Sequence, residues 1–216
     1  MVRPDRGVSG WVTGAALMLL LALMGACGGP SASPGRAASG PSSSASPAES
    51  SAAPNPNAPE INSAGDIPDN QVFVPYTPAG GTFVVRVPQG WAQSAAGSAV
   101  VFTDKFNSVR IESVPRSQAP DVASAGAQEV PQLQSSVPGF QAGQVTMVQR
   151  SAGPAVLITY QANSAPNAVT GKSVTEAVER YEFWRGGQEV VLTLSAPQGA
   201  DNVDPWRTVT DSFRWQ

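Results

Sequence analysis

From Gly28 to Glu60 the chain contains no Val, Ile, Leu, Met, Phe, Trp, Tyr or Cys. The stretch is built almost wholly of Ala, Ser, Pro, Gly and Asn. A segment with so little apolar surface to bury cannot offset the entropy of being ordered, so it is expected to stay unfolded. This one feature divides the 216 residues. A short apolar N-terminal piece precedes the gap, residues 27–68 form a tether, and only 69–216 carry the pattern of a hydrophobic core. About 150 residues suffice for one such core. With about 40 residues, a coil of 5–6 Å × √n spans roughly 35 Å, and Pro-rich extension takes it past about 100 Å. Ser/Ala/Pro mixtures are also the composition of O-glycosylated stalks.

The piece before the gap has the layout of a secretory signal over residues 1–26. Arg3 and Arg6 give a positive start, and Trp11 to Ala26 is an uncharged run centred on "ALMLLLALMG". That run is short of the roughly 20 apolar residues of a membrane-spanning helix. It ends in Met24-Gly25-Ala26-Cys27, and Cys27 is the sole cysteine of the chain. Small residues before a Cys, directly after the apolar run, resemble the lipobox of bacterial lipoproteins. The usual Leu three residues before the Cys is replaced here by Met24, with Leu23 one position further back. The resemblance implies that a diacylglyceryl group joins the Cys27 thiol and that cleavage makes Cys27 the first residue. Two or three acyl chains, at about 0.8 kcal/mol per buried methylene, hold a protein on a bilayer where one does not. The expected location is therefore the extracytoplasmic face of the cell membrane, with the membrane as partner through Cys27.

Charge narrows the function classes. Charged residues make up 13% of the chain, about half the usual share. Loss of Arg3, Asp5 and Arg6 with the signal leaves 11 basic and 15 acidic side chains. Such a chain lacks the basic face of a nucleic-acid binder and the polybasic patch of a membrane-surface protein. There is no His, so Ser-His-Asp, Cys-His and His-metal chemistry are closed. No catalytic residue, cofactor or metal site is expected, and the domain is expected to be a monomer and not an enzyme.

Within 69–216 the apolar residues alternate as strands. Thr82 to Val87 places Phe83, Val85 and Val87 on one face, with Pro88 and Gly90 ending the strand and Trp91 folding over the core's end. "SAVVFTDKFNSVRIESV" reads as a hairpin turning at Asp104 to Asn107, with Val100, Phe102, Val109 and Ile111 inward and Arg110 and Glu112 outward. Asp121 has the position of an N-cap for a helix carrying Val122, Ala125, Val130 and Leu133, which Pro131 should kink or end. Four further strands follow, the last two joined by Gly186-Gly187. A terminal helix is expected to start at Asp204 as N-cap with Pro205 in its first position. It places Trp206, Val209 and Phe213 on one face and pairs Arg207 with Asp211 outward. The fold class is α+β, an antiparallel sheet with helices packed on it.

The strand running into "VPQGW" and the ending "LTLSAPQGADNVDPWRTVTDSFRW" resemble the LpqN/LpqT-type lipoproteins of mycobacteria and related actinobacteria. The resemblance covers about Tyr76 to Gln216 and implies a PsbP-like (Mog/PsbP) α/β/α sandwich. It further implies an envelope-exposed accessory or binding protein, and it carries no catalytic motif onto this chain.

Two patterns imitate active sites. Gly171-Lys172-Ser173 is the tail of a phosphate loop, but Pro166 stands where its first Gly belongs, so a turn before a strand is expected. Glu179 and Glu182 offer paired carboxylates, yet in a strand they point to opposite faces, and a solvated strand is expected. The oxygens of Asp201, Asn202 and Asp204 lack a spaced Ca²⁺ loop. Tyr76, Trp91 and Trp184 are the candidate lining of a ligand cleft. The expected function is non-enzymatic binding of an apolar or amphipathic envelope ligand, or assistance to a membrane transporter. The alternative is a surface module that binds an envelope protein.

Overall fold

A computed structural model describes residues 65–167 and 169–216. Cys27, the signal segment and the tether up to residue 64 lie outside the described residues, as do the expectations that fall on them. The described chain is α+β: ten strands, two helical regions and only antiparallel pairings.

The strands in chain order are β1 (Phe73–Tyr76), β2 (Phe83–Pro88), β3 (Ala92–Ala96), β4 (Ala99–Asp104) and β5 (Asn107–Pro115). They continue with β6 (Gln141–Arg150), β7 (Gly153–Asn163), β8 (Thr175–Arg185), β9 (Gln188–Pro197) and β10 (Arg214–Trp215). Seven of them form one sheet in the order β3-β4-β5-β9-β8-β7-β6, and β1-β2-β10 form a second, small sheet. The β8–β9 hairpin turns on Gly186 and Gly187, both at positive φ (58° and 90°), the conformation that a tight two-residue hairpin needs and glycine supplies.

The large sheet buries both faces by different means. On the first face, Val109, Ile111, Phe183, Leu192 and Leu194 meet Phe83, Val85 and Val87 of β2 and the helix α3 (Val203–Ser212). Trp206 and Val209 project from α3 into this core. Phe213 is fully buried but caps α3 in extended backbone rather than lying on it. The turn of the chain lets its ring stack on Phe183 at 4.4 Å and meet Phe83 at 5.5 Å and Trp215 at 5.1 Å. α3 also begins before the expected Asp204. Its N-cap is Asn202, whose side chain makes no capping bond because it is committed to distant backbone, as described below. Arg207 and Asp211 pair outward as expected, 3.4 Å apart.

On the second face lies the helical segment 122–136. Asp121 and Ser124 form a reciprocal capping box, with Ser124 N donating to the Asp121 carboxylate at 2.7 Å and Asp121 N to Ser124 Oγ at 3.0 Å. After α1 (Val122–Ser124) the chain widens into a π-helical turn, Ala125–Glu129, and resumes as α2 (Val130–Ser136). Pro131 therefore does not end the helical segment. It occupies the first turn of α2, where a missing N–H costs nothing, and the wide turn absorbs the misfit. Ala125, Val156, Ile158, Tyr160 and Val178 form the core beneath.

The expectation of a solvated β8 is corrected here. Glu179 and Glu182 do face opposite ways, but Glu182 is 1% exposed and Glu189 on β9 is 4% exposed. β8 lies inside the sheet, and the helical segment closes over its second face. Arg116, just after β5, sits among three carboxylates: Glu129 at 2.6 Å, Glu189 at 2.8 Å and Glu182 at 3.8 Å. Arg180 donates to Glu182 at 2.9 Å. Two guanidinium groups thus face three carboxyl groups, and one oxygen each of Glu129 and Glu182 is buried without a hydrogen-bond partner. Burial raises the pKa of Glu182 and of Glu189 above the ordinary 4.5, with Arg180 and Arg116 respectively opposing the shift. For Arg116, burial favours the neutral form but Glu189 and Glu129 outweigh it, so its pKa rises.

Two outcomes are expected. Trp206→Ala removes a large core side chain and should cost roughly 3–5 kcal/mol, read as a fall in denaturation midpoint of the signal-free chain. In the charge cluster the sign follows from the raised carboxyl pKa values: the folded state holds protons that the unfolded state has released. The cluster's contribution is therefore present at pH below the ordinary carboxyl value and is lost as pH rises through the folded values. Glu112, held low by Ser98 and Arg110, acts in the opposite sense at more acid pH. Denaturation from about pH 5 to about pH 8 should show declining stability in the wild type and a flatter profile in Glu182→Gln. Arg116→Met, which strands buried carboxylates, should lose about 3–5 kcal/mol near neutral pH.

Candidate functional site

The three aromatic residues expected to line a cleft are not brought together. Tyr76 on β1 packs edge-on to Phe102, with ring centroids 5.2 Å apart, and borders an open hollow of about 290 Å³ with Pro78 and Val100. Trp91 is half-buried against the first core. Trp184 lies on the second face, where its indole N–H donates to the Arg116 carbonyl at 2.8 Å. Each has a packing role of its own, and neither tryptophan borders the Tyr76 hollow. Gly171-Lys172-Ser173 lies in the loop before β8, with Gly171 N donating to Asn167 O at 2.8 Å, as a turn and not a phosphate cradle. No grouping of three or more metal-ligating side chains occurs among the described residues.

A different place in the fold has the form of a binding cleft. At one end of the large sheet, the β4–β5 turn, the segment 65–71 and the loop 164–174 enclose about 580 Å³, within the range of small-molecule sites. Asn202 builds its frame. This side chain is 2% exposed; its Oδ1 accepts from Ile67 N at 2.7 Å, and its Nδ2 donates to Gly65 O at 3.0 Å and to Asn107 Oδ1 at 3.2 Å. One carboxamide thus ties the entering chain to the β4–β5 turn. Gly65, at φ +102°, passes so close to β9 that a Cβ there would lie 2.7 Å from Pro197 Cγ. Ile67 is a core residue, so packing starts before the expected boundary at 69.

The turn itself is unusual. Asp104 and Asn107 pair directly, leaving Lys105 and Phe106 as a two-residue loop. Lys105 has φ +53°, a left-handed conformation that costs a side-chain-bearing residue about 1–2 kcal/mol and is usually filled by glycine. Lys105 is exposed, Phe106 is half-buried, and both border the large cleft. On their other side they border a second hollow of about 220 Å³ that holds Ser108, Glu176 and Ser195. There, burial raises the Glu176 pKa while a hydrogen bond with Ser195 opposes it. Sequence reasoning took Asp104 to Asn107 as a turn and nothing more. The available signal was a Lys-Phe pair at a position where turns prefer Gly or Asn.

No family model matches the sequence, and no curated protein matches it. Among solved structures the chain is similar to the PsbP protein of Synechocystis (13% identity, 72% of this chain and 99% of that one, TM-score 0.47). It is also similar to the Ran-binding protein Mog1p of Saccharomyces cerevisiae (13% identity, 67% and 96%, TM-score 0.44). A third is LpqN of Mycobacterium tuberculosis, a protein involved in cell envelope biogenesis (16% identity, 68% and 91%, TM-score 0.38). The chain spans about half, 48%, of a similar Bacteroides thetaiotaomicron protein (12% identity, TM-score 0.44). At these identities the likeness concerns the fold.

Replacing Lys105 by glycine should relieve the left-handed strain. Allowing for glycine's extra freedom in the unfolded chain, Lys105→Gly should stabilise the protein by about 0.5–1 kcal/mol, measured as a shift in denaturation midpoint.

Proposed function

We propose that the chain is a lipid-anchored protein of the cell envelope with a non-enzymatic ligand-binding role, of the LpqN/LpqT type that its sequence resembles. Cys27, after an apolar run and before a tether without large apolar residues, supports the anchoring. The binding role is carried by one observation. The cleft at the sheet end is framed by a buried asparagine and presents Asp104 and Lys105, whose side chains have no hydrogen-bond or ion-pair partner among the described residues. No described helix is long and apolar enough to cross a membrane.

The structure has consequences for the ligand. Between sheet and α3, Trp206, Val209 and Phe213 pack into the core, and what stays open beside Trp206 is a hollow of about 290 Å³ bordered by β6, β7 and β8, about half the volume of the cleft at the sheet end. The larger cleft at the sheet end is the place this reading gives to the ligand. A second reading, a surface module for protein partners, is favoured by β6. This ten-residue strand ends the sheet, bears no charge from Gln141 to Gln149 and leaves Met147 49% exposed. Such an edge is a template for strand addition.

Membrane fractionation tests the anchor: Cys27→Ala should leave the protein unprocessed or release it from membranes. A Cys27→Ala chain that is cleaved and stays in the membrane fraction like the wild type would overturn it. Native mass spectrometry of the purified chain tests binding. A co-purified small molecule that is lost in Phe106→Ala is the expected result, and a bare protein mass in both defeats the cleft reading.

A further inference from the structure

We infer that the cleft at the β4–β5 turn takes a neutral, hydroxyl-rich ligand, a short saccharide, with the Phe106 ring as its stacking platform. The inference rests on the reading of this cleft as the ligand site and names the class of ligand.

Charge excludes the two commonest alternatives. The lining carries Asp66 and Asp104 against Lys105 alone. A phosphate or a fatty-acid carboxylate entering here finds no excess of positive charge, since Asp104 stands beside Lys105 and the Asp66 carboxylate already accepts from Asp201 N at 2.9 Å, so anionic ligands are not favoured. A long acyl chain needs a continuous apolar wall. Here the apolar surfaces of Phe106, Val174 and the prolines are interrupted by carboxamides and charges.

The hydrogen-bonding groups are instead mixed in the way a hydroxyl requires. Asp104 only accepts and Lys105 only donates. Gln71 spends its amide hydrogens on Val72 O at 2.8 Å and Gln89 O at 3.1 Å, which leaves its Oε1 as an acceptor. Asn167 spends its Oδ1 on Val169 N at 3.0 Å and Thr170 N at 2.9 Å, which leaves its Nδ2 as a donor. A hydroxyl group donates once and accepts up to twice. Neighbouring hydroxyls on a sugar ring therefore match a wall where donors and acceptors alternate, and they bring no charge to be desolvated.

Phe106 supplies the remaining element. Its ring borders both the 580 Å³ cleft and the 220 Å³ hollow, so polar groups flank it on two sides. The axial C–H face of a pyranose carries slight positive charge and lies favourably on the negative face of an aromatic ring. The left-handed Lys105 fits this reading. A residue that costs stability at a turn, where glycine would not, is kept for what its side chain reaches.

The test is a titration of the isotope-labelled, signal-free chain followed by backbone amide shifts. The probes are maltotetraose, cellotetraose and chitotetraose, with decanoate as the apolar anion. At least one saccharide should move the amides of residues 65–71, 104–107 and 167–174. Phe106→Ala and Asp104→Ala should each weaken that binding about tenfold or more, with the denaturation midpoint little changed. Lys105→Gly should weaken binding while raising the midpoint, a combination that a purely structural role does not produce. The inference is overturned if no saccharide moves these amides at about 10 mM, or if the shifts fall elsewhere. Decanoate alone moving the same amides would sink the saccharide assignment and leave the cleft as a ligand site. Silence from every probe, together with a bare native mass, would sink both.

Discussion

The Arg116 guanidinium holds the second face of the sheet together. It reaches Glu129 in the helical segment, Glu189 on β9 and Glu182 on β8, while its own carbonyl receives the Trp184 indole N–H. One side chain therefore bridges three elements that are far apart in sequence. The cluster is costly, because three carboxyls and two guanidinium groups leave a residual negative charge in a site that water barely reaches. Such a cluster adds little net stability over an apolar filling, but breaking it is severe. What it contributes is position. The π-helical turn ends at Glu129, so the widened turn and the charge contact occur at the same place, and the helical segment has one register on the sheet.

The first face is organised by apolar packing. Phe213 stacks between Phe83 and Phe183, joining the small sheet, the end of α3 and the centre of the large sheet. A polar relay borders it: Arg150 donates to Tyr181 Oη at 2.8 Å, and Tyr181 donates to Glu179 at 2.7 Å. Burial and Glu179 push the Tyr181 pKa up to about 12, so the phenol stays protonated and keeps that donor. Both faces of the central strands are thus largely covered. Open surface remains at the end of the sheet, where loops meet, along its β6 edge and in the hollow beside Trp206. Ligand sites commonly fall on loops held by a rigid scaffold, and Asn202 is the piece of scaffold that fixes the loops here.

The sequence by itself determined where the apolar residues fall, and so that a hydrophobic core belongs to the C-terminal part of the chain, because the presence or absence of apolar residues is a local property. It also determined the alternation of Phe83, Val85 and Val87, the hairpin at Gly186-Gly187, the N-cap at Asp121 and the α+β class. Each of these rests on periodicity or on backbone preferences within a few residues. The short strands β3 and β10 were not legible, since "AQSAA" has neither apolar alternation nor β-branched residues and is a strand only because β4 pairs with it.

Only the tertiary structure decided which polar residues are buried and which loops meet. Glu182 looks like a surface residue in "VERYEFW" until β8 is placed inside the sheet under a helix. Asn202 looks like a cap until its carboxamide is found bonded to residues 95 and more positions away. Tyr76, Trp91 and Trp184 are legible as large aromatics, but their separation is set by the sheet order. The cleft at Lys105 and Phe106 was invisible for the same reason: its walls come from residues 65–71, 104–107 and 164–174, which only chain topology brings together. Local chemistry writes the elements, whereas burial and convergence depend on contacts between segments that the linear pattern does not encode.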